Sequence, residues 1–206
     1  MTYREQAYRP PAEVAGLVLA AGGGQRLGGR PKALLVHEGR TLVERAARAL
    51  HAGGCAPVHV VLGAASHEVR RHAVLGRCVL VENPDWEEGM GSSLRAGLDA
   101  LAATRAGAAL VLLVDQPGIG AEAVRRVVSA YEDPGSLATA TYEGRRGHPV
   151  LLGRAHWRAV GESAVADRGA RDHLRAQGAA VREVECADVA ECHDIDTEAD
   201  LRLLAP

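Results

Sequence analysis

Short apolar runs alternate with amphipathic segments along most of this chain. The runs lie at residues 14–20, 57–63, 77–83, 108–115 and 137–142, and the amphipathic segments lie at 41–53, 66–73, 91–105 and 119–131. These segments repeat apolar residues at helical spacing, and Thr41 is placed to cap the first of them. Strands that alternate with helices form a mostly parallel sheet with helices on both faces. The sequence therefore predicts a Rossmann-like, three-layer α/β/α fold.

The 206 residues suit one domain of ordinary size, and no repeat or linker divides them. We expect a single domain over residues 14–206, preceded by a loose leader over residues 1–13. The leader is polar, contains acids and prolines, and does not resemble a signal peptide. Residues 142–153 are predicted to form a loop, and the pattern beyond them is more broken.

Charge and cysteine usage exclude several classes of protein. Lys and Arg number 24 against 26 Asp and Glu, so the chain lacks the basic excess typical of nucleic-acid binders. No apolar run approaches the roughly 20 residues of a membrane span. The scattered cysteines at 55, 78, 186 and 192 are expected to be reduced and mostly buried. We expect a soluble, cytoplasmic protein with neither a nucleic acid nor a membrane as partner.

The segment LAAGGGQRLGGRPK, residues 19–32, directly follows the first apolar run. Ligands of parallel α/β sheets bind outside the carboxyl ends of the strands, where glycines let backbone N–H groups approach a phosphate. The alternative is a flexible surface loop with solvent-facing charges. The position after the first strand favours a nucleotide site, with Arg26 and Lys32 as cations for the phosphates. The backbone that would hold the nucleotide comprises Leu19, Ala20, Ala21, Gly22, Gly23 and Gly24.

Two common phosphate-loop patterns do not fit this segment. The dinucleotide pattern GxGxxG fails because Leu27 stands at the third glycine position. The pattern GxxxxGK[ST] fails because Gly29 and Arg30 follow Gly28 in place of Lys and Ser or Thr. The segment therefore matches neither of these two phosphate loops.

Acidic residues stand at two further positions that suit a metal ion. Asp115 ends the most continuous apolar run, and Asp196 lies in the sequence HDIDTEADL near the C-terminus. Magnesium prefers one or two carboxylates together with phosphate oxygens. The simpler alternatives are a turn opened by Asp115 before Pro117, and acids of a helical first turn after Asp196.

These segments together resemble the MobA-like NTP transferases, and most closely the molybdenum cofactor cytidylyltransferases. The resemblance rests on Leu-Ala-Ala-Gly at 19–22, Asn-Pro-x-Trp at 83–86, Asp-Gln-Pro at 115–117, Gly-His-Pro at 147–149 and Asp-x-Asp-Thr at 194–197. Ala166 departs from the family, which often has glycine before the acid at 167. The resemblance implies a nucleotidyltransferase fold that transfers CMP from CTP to the terminal phosphate of molybdenum-molybdopterin.

The resemblance also implies roles for individual residues. Arg26, Lys32 and Asp115 are expected to act in catalysis, and Asp115 and Asp196 to hold Mg²⁺, with Mn²⁺ as an alternative. Asn83 and Ser93 are candidate nucleoside contacts, whereas Asp194 is expected to be structural. The candidate residues for the acceptor are His148, Arg168 and Arg171, with Arg145 and Arg146 beside them. A molybdoenzyme or its chaperone is the implied recipient of the product.

The sequence is also compatible with other functions. The same chemistry can use GTP, or a sugar phosphate or methylerythritol phosphate as acceptor. A nicotinamide-dependent oxidoreductase would also use a parallel α/β sheet, although the failed GxGxxG pattern argues against it. A non-catalytic nucleotide-binding regulator would not need both Asp115 and Asp196.

Overall fold

The computed structural model describes residues 14–204. The strands are β1 (Val14–Ala20), β2 (Val36–His37), β3 (Arg40–Thr41), β4 (Val58–Leu62), β5 (Cys78–Glu82), β6 (Ala108–Leu113), β7 (Leu137–Tyr142), β8 (Arg145–Gly153) and β9 (Val181–Glu185). The helices are α1 (Leu42–Ala52), α2 (Ser66–His72), α3 (Met90–Ala102), α4 (Ala121–Val128), α5 (Trp157–Ser163) and α6 (Arg171–Gln177). Short 3₁₀ turns join several of these elements, and one of them covers Glu198–Leu204.

Seven strands form one sheet in the spatial order β5–β4–β1–β6–β8–β7–β9. The pairs β5–β4, β4–β1, β1–β6 and β7–β9 are parallel, whereas β8 is antiparallel to both β6 and β7. The prediction of a mostly parallel sheet is therefore confirmed. Strands β2 and β3 form a separate two-stranded hairpin.

Residues alternate between two hydrophobic cores along the central strands, because successive side chains of a strand point to opposite faces. In β1, Val14 and Val18 pack into the core that includes α1 and α4. Ala15, Leu17 and Leu19 pack into the core that includes α3 and α5. Both faces of the sheet are therefore covered by helices, which confirms the three-layer fold.

The start of α1 follows from its sequence. The backbone N–H of Thr41 donates to the carboxylate of Glu44, and the N–H of Glu44 donates to the hydroxyl of Thr41. This reciprocal capping box satisfies two donors at the helix terminus and confirms Thr41 as the cap. The helix ends before Gly53, where a Cβ would collide with Val124.

The prediction of a loop over residues 142–153 is wrong, because most of this segment is strand β8. Its second half, Val150 to Leu152, is buried between β6 and β7 and pairs with both strands. Its first half is half-buried or exposed and carries polar residues. The segment therefore lacks the alternation of apolar and polar residues that is typical of a strand. The predicted helix at 119–131 is also shorter, since α4 covers Ala121–Val128.

The expected leader over residues 1–13 lies outside the described residues. Cys55 and Cys186 are buried, Cys78 and Cys192 are half-buried, and all four are free thiols, as predicted. Within residues 14–204, no helix combines the length and apolar character that crossing a membrane requires.

Candidate active site

The site lies where the direction of strand addition reverses. The chain passes from β1 to β4 and β5 on one side, and then returns with β6 to the other side of β1. The carboxyl ends of β1 and β6 therefore flank a crevice of the kind that binds ligands in open α/β sheets. The glycine-rich segment follows β1 at this crevice, and Asp115 follows β6.

The glycine-rich segment is folded against itself rather than extended into solvent. Gly24 has φ of 63°, and a Cβ there would lie 1.9 Å from the carbonyl oxygen of Arg30. The N–H groups of Leu27 and Gly29 both donate to the carbonyl oxygen of Gly24. Leu27 is fully buried and anchors the turn in the core. The alternative of a flexible loop is therefore disfavoured for this segment.

The ammonium group of Lys32 lies between two carboxylates. Its Nζ is 2.6 Å from Oδ2 of Asp115 and 2.5 Å from Oδ1 of Asp196. The side chains of Lys32 and Asp115 are only 17% and 18% exposed. Arg26 is farther out, 75% exposed, with Nη1 3.4 Å from Oδ2 of Asp196. The structure thus brings together all four charged residues predicted for the phosphate and metal site.

Burial opposes the charge of Lys32, but Asp115 and Asp196 outweigh this effect, so the pKa of Lys32 is raised above its usual value. A cation is therefore held between the two acids at neutral pH. The two carboxylates come from distant segments of the chain and attract positive charge to one point.

The C-terminal segment delivers Asp196 to this point. Ile195 is fully buried, and its N–H donates to the carbonyl oxygen of Asp115 over 2.9 Å. The carboxylate of Asp200 accepts from the N–H groups of Asp196 and Thr197. This cap fixes the turn in which Asp196 stands. The two acids are therefore held together by backbone contacts and not only by their shared cation.

The donor set fits a magnesium or manganese ion that is completed by a ligand. Oxygens of Asp115 and Asp196 lie within hydrogen-bonding distance of the same nitrogen. Within the described part of the chain, no group of three or more His, Cys, Asp or Glu residues forms a metal cluster. Magnesium bound through one or two carboxylates takes its other ligands from water and phosphates. The two carboxylates therefore suit a metal ion whose remaining ligands are water and phosphate oxygens.

Asn83 and Ser93 lie beside the crevice but are engaged with each other. Asn83 is 3% exposed, and its Nδ2 donates to the hydroxyls of Ser92 and Ser93. Its Oδ1 accepts from the N–H of Asp85. Helix α3 begins at Met90, so neither Ser92 nor Ser93 is its N-cap residue. These contacts fix the turn between β5 and α3.

A cavity of about 540 Å³ adjoins the carboxyl ends of β1 and β6. His148, Arg168 and Arg171 all line it, which brings the three predicted acceptor residues together. Arg146 also lines it, whereas Arg145 does not. The other wall is apolar and consists mainly of Leu19, Met90, Leu94, Val111, Leu113, Val150, Leu152 and Leu174. The cavity therefore suits a ligand with an apolar body and an anionic group.

His148 is neutral at physiological pH in this cavity. Burial lowers its pKa to about 4, with Asp115 opposing the shift and Arg171 adding to it. The imidazole can therefore both donate and accept a hydrogen bond there.

Gln116 and Asp194 also line the cavity, and sequence reasoning assigned neither to a ligand site. Gln116 Nε2 donates to Asp194 Oδ1 over 2.7 Å, so this contact ties the turn after β6 to the C-terminal segment. This agrees with the structural role expected for Asp194. The position of Gln116 directly after Asp115 in the sequence could have indicated that it lies at the site.

The fold and the site together define a nucleotidyltransferase: a glycine-rich turn after β1, a cation, and two acids meet at the switch point of the sheet. The model of the MobA-like NTP transferase domain matches residues 16–181. The chain belongs to this family.

Two curated relatives show how the family varies. The chain is 43% identical to nicotine blue oxidoreductase of Paenarthrobacter nicotinovorans over 199 residues, which cover 93% of this chain and 96% of that protein. It is 34% identical to a molybdenum cofactor guanylyltransferase of Cereibacter sphaeroides over 164 residues, covering 76% and 80% of the two chains. Relatives with different names therefore share this fold and family.

Solved structures agree with the fold. A Mycobacterium sp. strain JC1 homologue of Mycobacterium tuberculosis Rv0371c has 30% identity and a TM-score of 0.80, covering 93% of this chain and 94% of that one. Rv0371c in complex with manganese has 27% identity and a TM-score of 0.72, with coverages of 94% and 97%. The 2-C-methyl-D-erythritol 4-phosphate cytidylyltransferase of Thermus thermophilus has 25% identity and a TM-score of 0.68, with coverages of 93% and 97%.

Proposed function

We propose that this protein transfers CMP from CTP to the terminal phosphate of molybdenum-molybdopterin and releases pyrophosphate. The observation that carries the proposal is the meeting of Lys32, Asp115 and Asp196 beside the glycine-rich turn. A phosphate-binding turn supplies the cation and two distant segments supply the acids. Such a set suits the triphosphate of a nucleotide together with its divalent metal.

The reaction needs little covalent chemistry from the protein. An oxygen of the acceptor phosphate attacks the α-phosphorus of CTP, and the bond to the β-phosphate oxygen breaks. A phosphate monoester is already an anionic nucleophile at neutral pH, so no general base is required. Catalysis then consists of positioning the two phosphates and neutralising their charge.

Asp115 and Asp196 are the residues that would hold Mg²⁺ or Mn²⁺. When bound there, the ion supplies positive charge to the reacting phosphates. The manganese complex of the related Rv0371c supports a divalent ion in this family. Lys32 and Arg26 bind the triphosphate from the glycine-rich segment, since both lie within hydrogen-bonding distance of Asp196.

The backbone from Leu19 to Gly24 wraps the nucleotide in this proposal. Gly22 is exposed and a Cβ there would meet no atom within 4 Å, so its backbone is open to a ligand. Asn83 and Ser93 contribute to the nucleoside site indirectly in this proposal. Their hydrogen bond to each other shapes the turn between β5 and α3.

The acceptor occupies the cavity lined by His148, Arg168 and Arg171. The arginines suit its phosphate, and the apolar wall suits a ring system better than a polyol. This contrast favours a pterin over a sugar phosphate or methylerythritol phosphate. A molybdoenzyme or its chaperone would receive the product, and the reaction would take place in the cytoplasm.

CTP is favoured as the donor by the sequence Leu-Ala-Ala-Gly at 19–22, and by the likeness to the Thermus thermophilus cytidylyltransferase. GTP is the alternative, because a relative named molybdenum cofactor guanylyltransferase is 34% identical over 164 residues.

A second function is favoured by one specific observation. The relative named nicotine blue oxidoreductase is 43% identical over almost the whole chain. The alternative is therefore a nicotinamide-dependent reduction of a ring substrate in the same cavity. This alternative assigns no role to the two acids around Lys32, and the chain lacks the GxGxxG pattern.

The test is to incubate the protein with molybdenum-molybdopterin, Mg²⁺ and each nucleoside triphosphate in turn, and to measure pyrophosphate. Release with CTP supports the proposal, and release with GTP alone changes only the base. Absence of release with every triphosphate, together with oxidation of NADH or NADPH by a ring substrate, would establish the alternative.

A further inference from the structure

Lys32 occupies the point between the two carboxylates at which a divalent ion would bind. Its Nζ lies 2.6 Å from Asp115 and 2.5 Å from Asp196. Magnesium binds carboxylate oxygens at about 2.0–2.1 Å. An ammonium group and a metal ion cannot both lie between the same two oxygens at these distances. A metal can therefore bind Oδ2 of Asp115 and Oδ1 of Asp196 together only after the ammonium group has moved away.

The displaced ammonium group needs another anion. The side chain of Lys32 is 17% exposed, and Asp196, with a side chain 39% exposed, borders the open end of the site. Lys32 also ends the glycine-rich segment, so a triphosphate on that segment would be the nearest new partner. Lys32 and the metal would then contact different oxygens of one substrate.

We propose that Lys32 is a gate that makes metal binding depend on the nucleotide, an inference that rests on the proposed function. Without a nucleotide, the ammonium group competes with divalent ions for Asp115 and Asp196. With a nucleotide, Lys32 moves to the phosphates and the acids become free for the metal. After pyrophosphate leaves, Lys32 returns to the acids and expels the metal, which assists release of the product.

Coupling of this kind is reciprocal: a nucleotide that raises the affinity for metal has its own affinity raised by the same factor.

The chain offers a matched control. Arg30 belongs to the same segment, but it pairs with Glu198 at an exposed position and contacts neither acid of the site. Arg30→Met removes one positive charge nearby without opening the gate.

The experiment measures binding of Mn²⁺ alone by electron paramagnetic resonance in four proteins. They are the unmodified protein and the variants Lys32→Met, Lys32→Gln and Arg30→Met, each checked for folding by circular dichroism. Both Lys32 variants should bind Mn²⁺ at least about tenfold more tightly than the unmodified protein, and Arg30→Met should not. Unchanged or weaker binding in the Lys32 variants would overturn the gate, and so would an equal gain in Arg30→Met.

A second measurement adds a nucleotide analogue to the unmodified protein and to Lys32→Met. A CTP analogue with a methylene bridge between the α- and β-phosphates should raise its Mn²⁺ affinity, and Lys32→Met should reduce this gain. Equal gains in both proteins would overturn the gate while leaving the proposed function intact. If the analogue binds to neither protein, the proposed function itself fails, and the gate fails with it.

Discussion

The ammonium group of Lys32 donates a hydrogen bond to the carboxylate of Asp115 over 2.6 Å, across 83 positions of the sequence. Lys32 ends the glycine-rich segment that follows β1, and Asp115 follows β6. Because β1 and β6 are adjacent parallel strands, both segments leave the sheet at the same edge. The contact therefore joins the proposed phosphate site to the proposed metal site.

Asp115→Asn should abolish nucleotidyl transfer while the protein still folds. The amide keeps the size of the side chain but loses the charge that would hold a metal. We expect kcat for pyrophosphate release to fall by about 100-fold or more. The free energy of unfolding should change by no more than about 3 kcal/mol, the scale of one hydrogen bond to a charged group.

Asp99→Asn is the control for this loss of charge, because Asp99 is exposed on α3. It should retain the activity of the unmodified protein. Activity that survives in Asp115→Asn would show that Asp115 does not hold the metal.

Gly24→Ala should unfold the glycine-rich turn locally. The new Cβ would lie 1.9 Å from the carbonyl oxygen of Arg30, and φ at this position is 63°. Strained backbone of this kind costs about 1–3 kcal/mol, so thermal denaturation should reveal a lower stability.

Gly22→Ala should behave differently, because a methyl group there meets no protein atom within 4 Å. Stability should be unchanged, but titration calorimetry should show weaker binding of CTP, since the methyl group stands where the nucleotide approaches the backbone. Unchanged CTP affinity in Gly22→Ala would argue against this part of the loop as the nucleotide site.

Arg171→Gln should weaken binding of the acceptor and not of the nucleotide. Arg171 lines the cavity, and a hydrogen bond to a charged group contributes about 1.5–3 kcal/mol. We therefore expect KM for the acceptor to rise about tenfold or more, while KM for CTP stays the same. Arg145→Gln is the matched control, since Arg145 is exposed and does not line the cavity. A parallel rise in both variants would assign the effect to overall charge.

The stability of the protein should fall as the pH drops from about 6.5 to about 4. Burial holds the pKa of His148 at about 4, below the value of about 6.5 in an unfolded chain. In this range the unfolded state binds the extra proton, so stability increases with pH, by up to about 3 kcal/mol from this residue. Burial also lowers the pKa of His59, which adds to the same trend.

His148→Gln should flatten this pH dependence in chemical denaturation, with the part due to His59 remaining. His72→Gln, at an exposed position on α2, should leave the profile unchanged. An identical profile for His148→Gln and the unmodified protein would show that His148 is protonated with its ordinary affinity.

Much of the fold and the charged centre followed from the sequence. The apolar runs of β1 and β6 alternate between the two cores, and their ends identify the turn at Gly24 and the acid at Asp115. These signals are local in the chain, so they could be recognised without knowledge of the tertiary structure.

Other features depend on contacts between distant segments. Strand β8 forms a hairpin with β7 across Glu143 and Gly144, but its first half is polar and its pairing with β6 joins segments far apart in the sequence. The alignment of Asp196 depends on the burial of Ile195 and its bond to Asp115, which no spacing in the sequence reveals. The position of Lys32 between two acids is likewise visible only in three dimensions.

A crystal structure with CTP and Mn²⁺ tests the central claim most directly, because the anomalous signal of manganese locates the ion. The ion should lie between Asp115 and Asp196, with Lys32 moved onto the phosphates and the nucleotide along residues 19–24. A manganese ion bound away from these two acids, with Lys32 still between them and CTP elsewhere, would contradict the account.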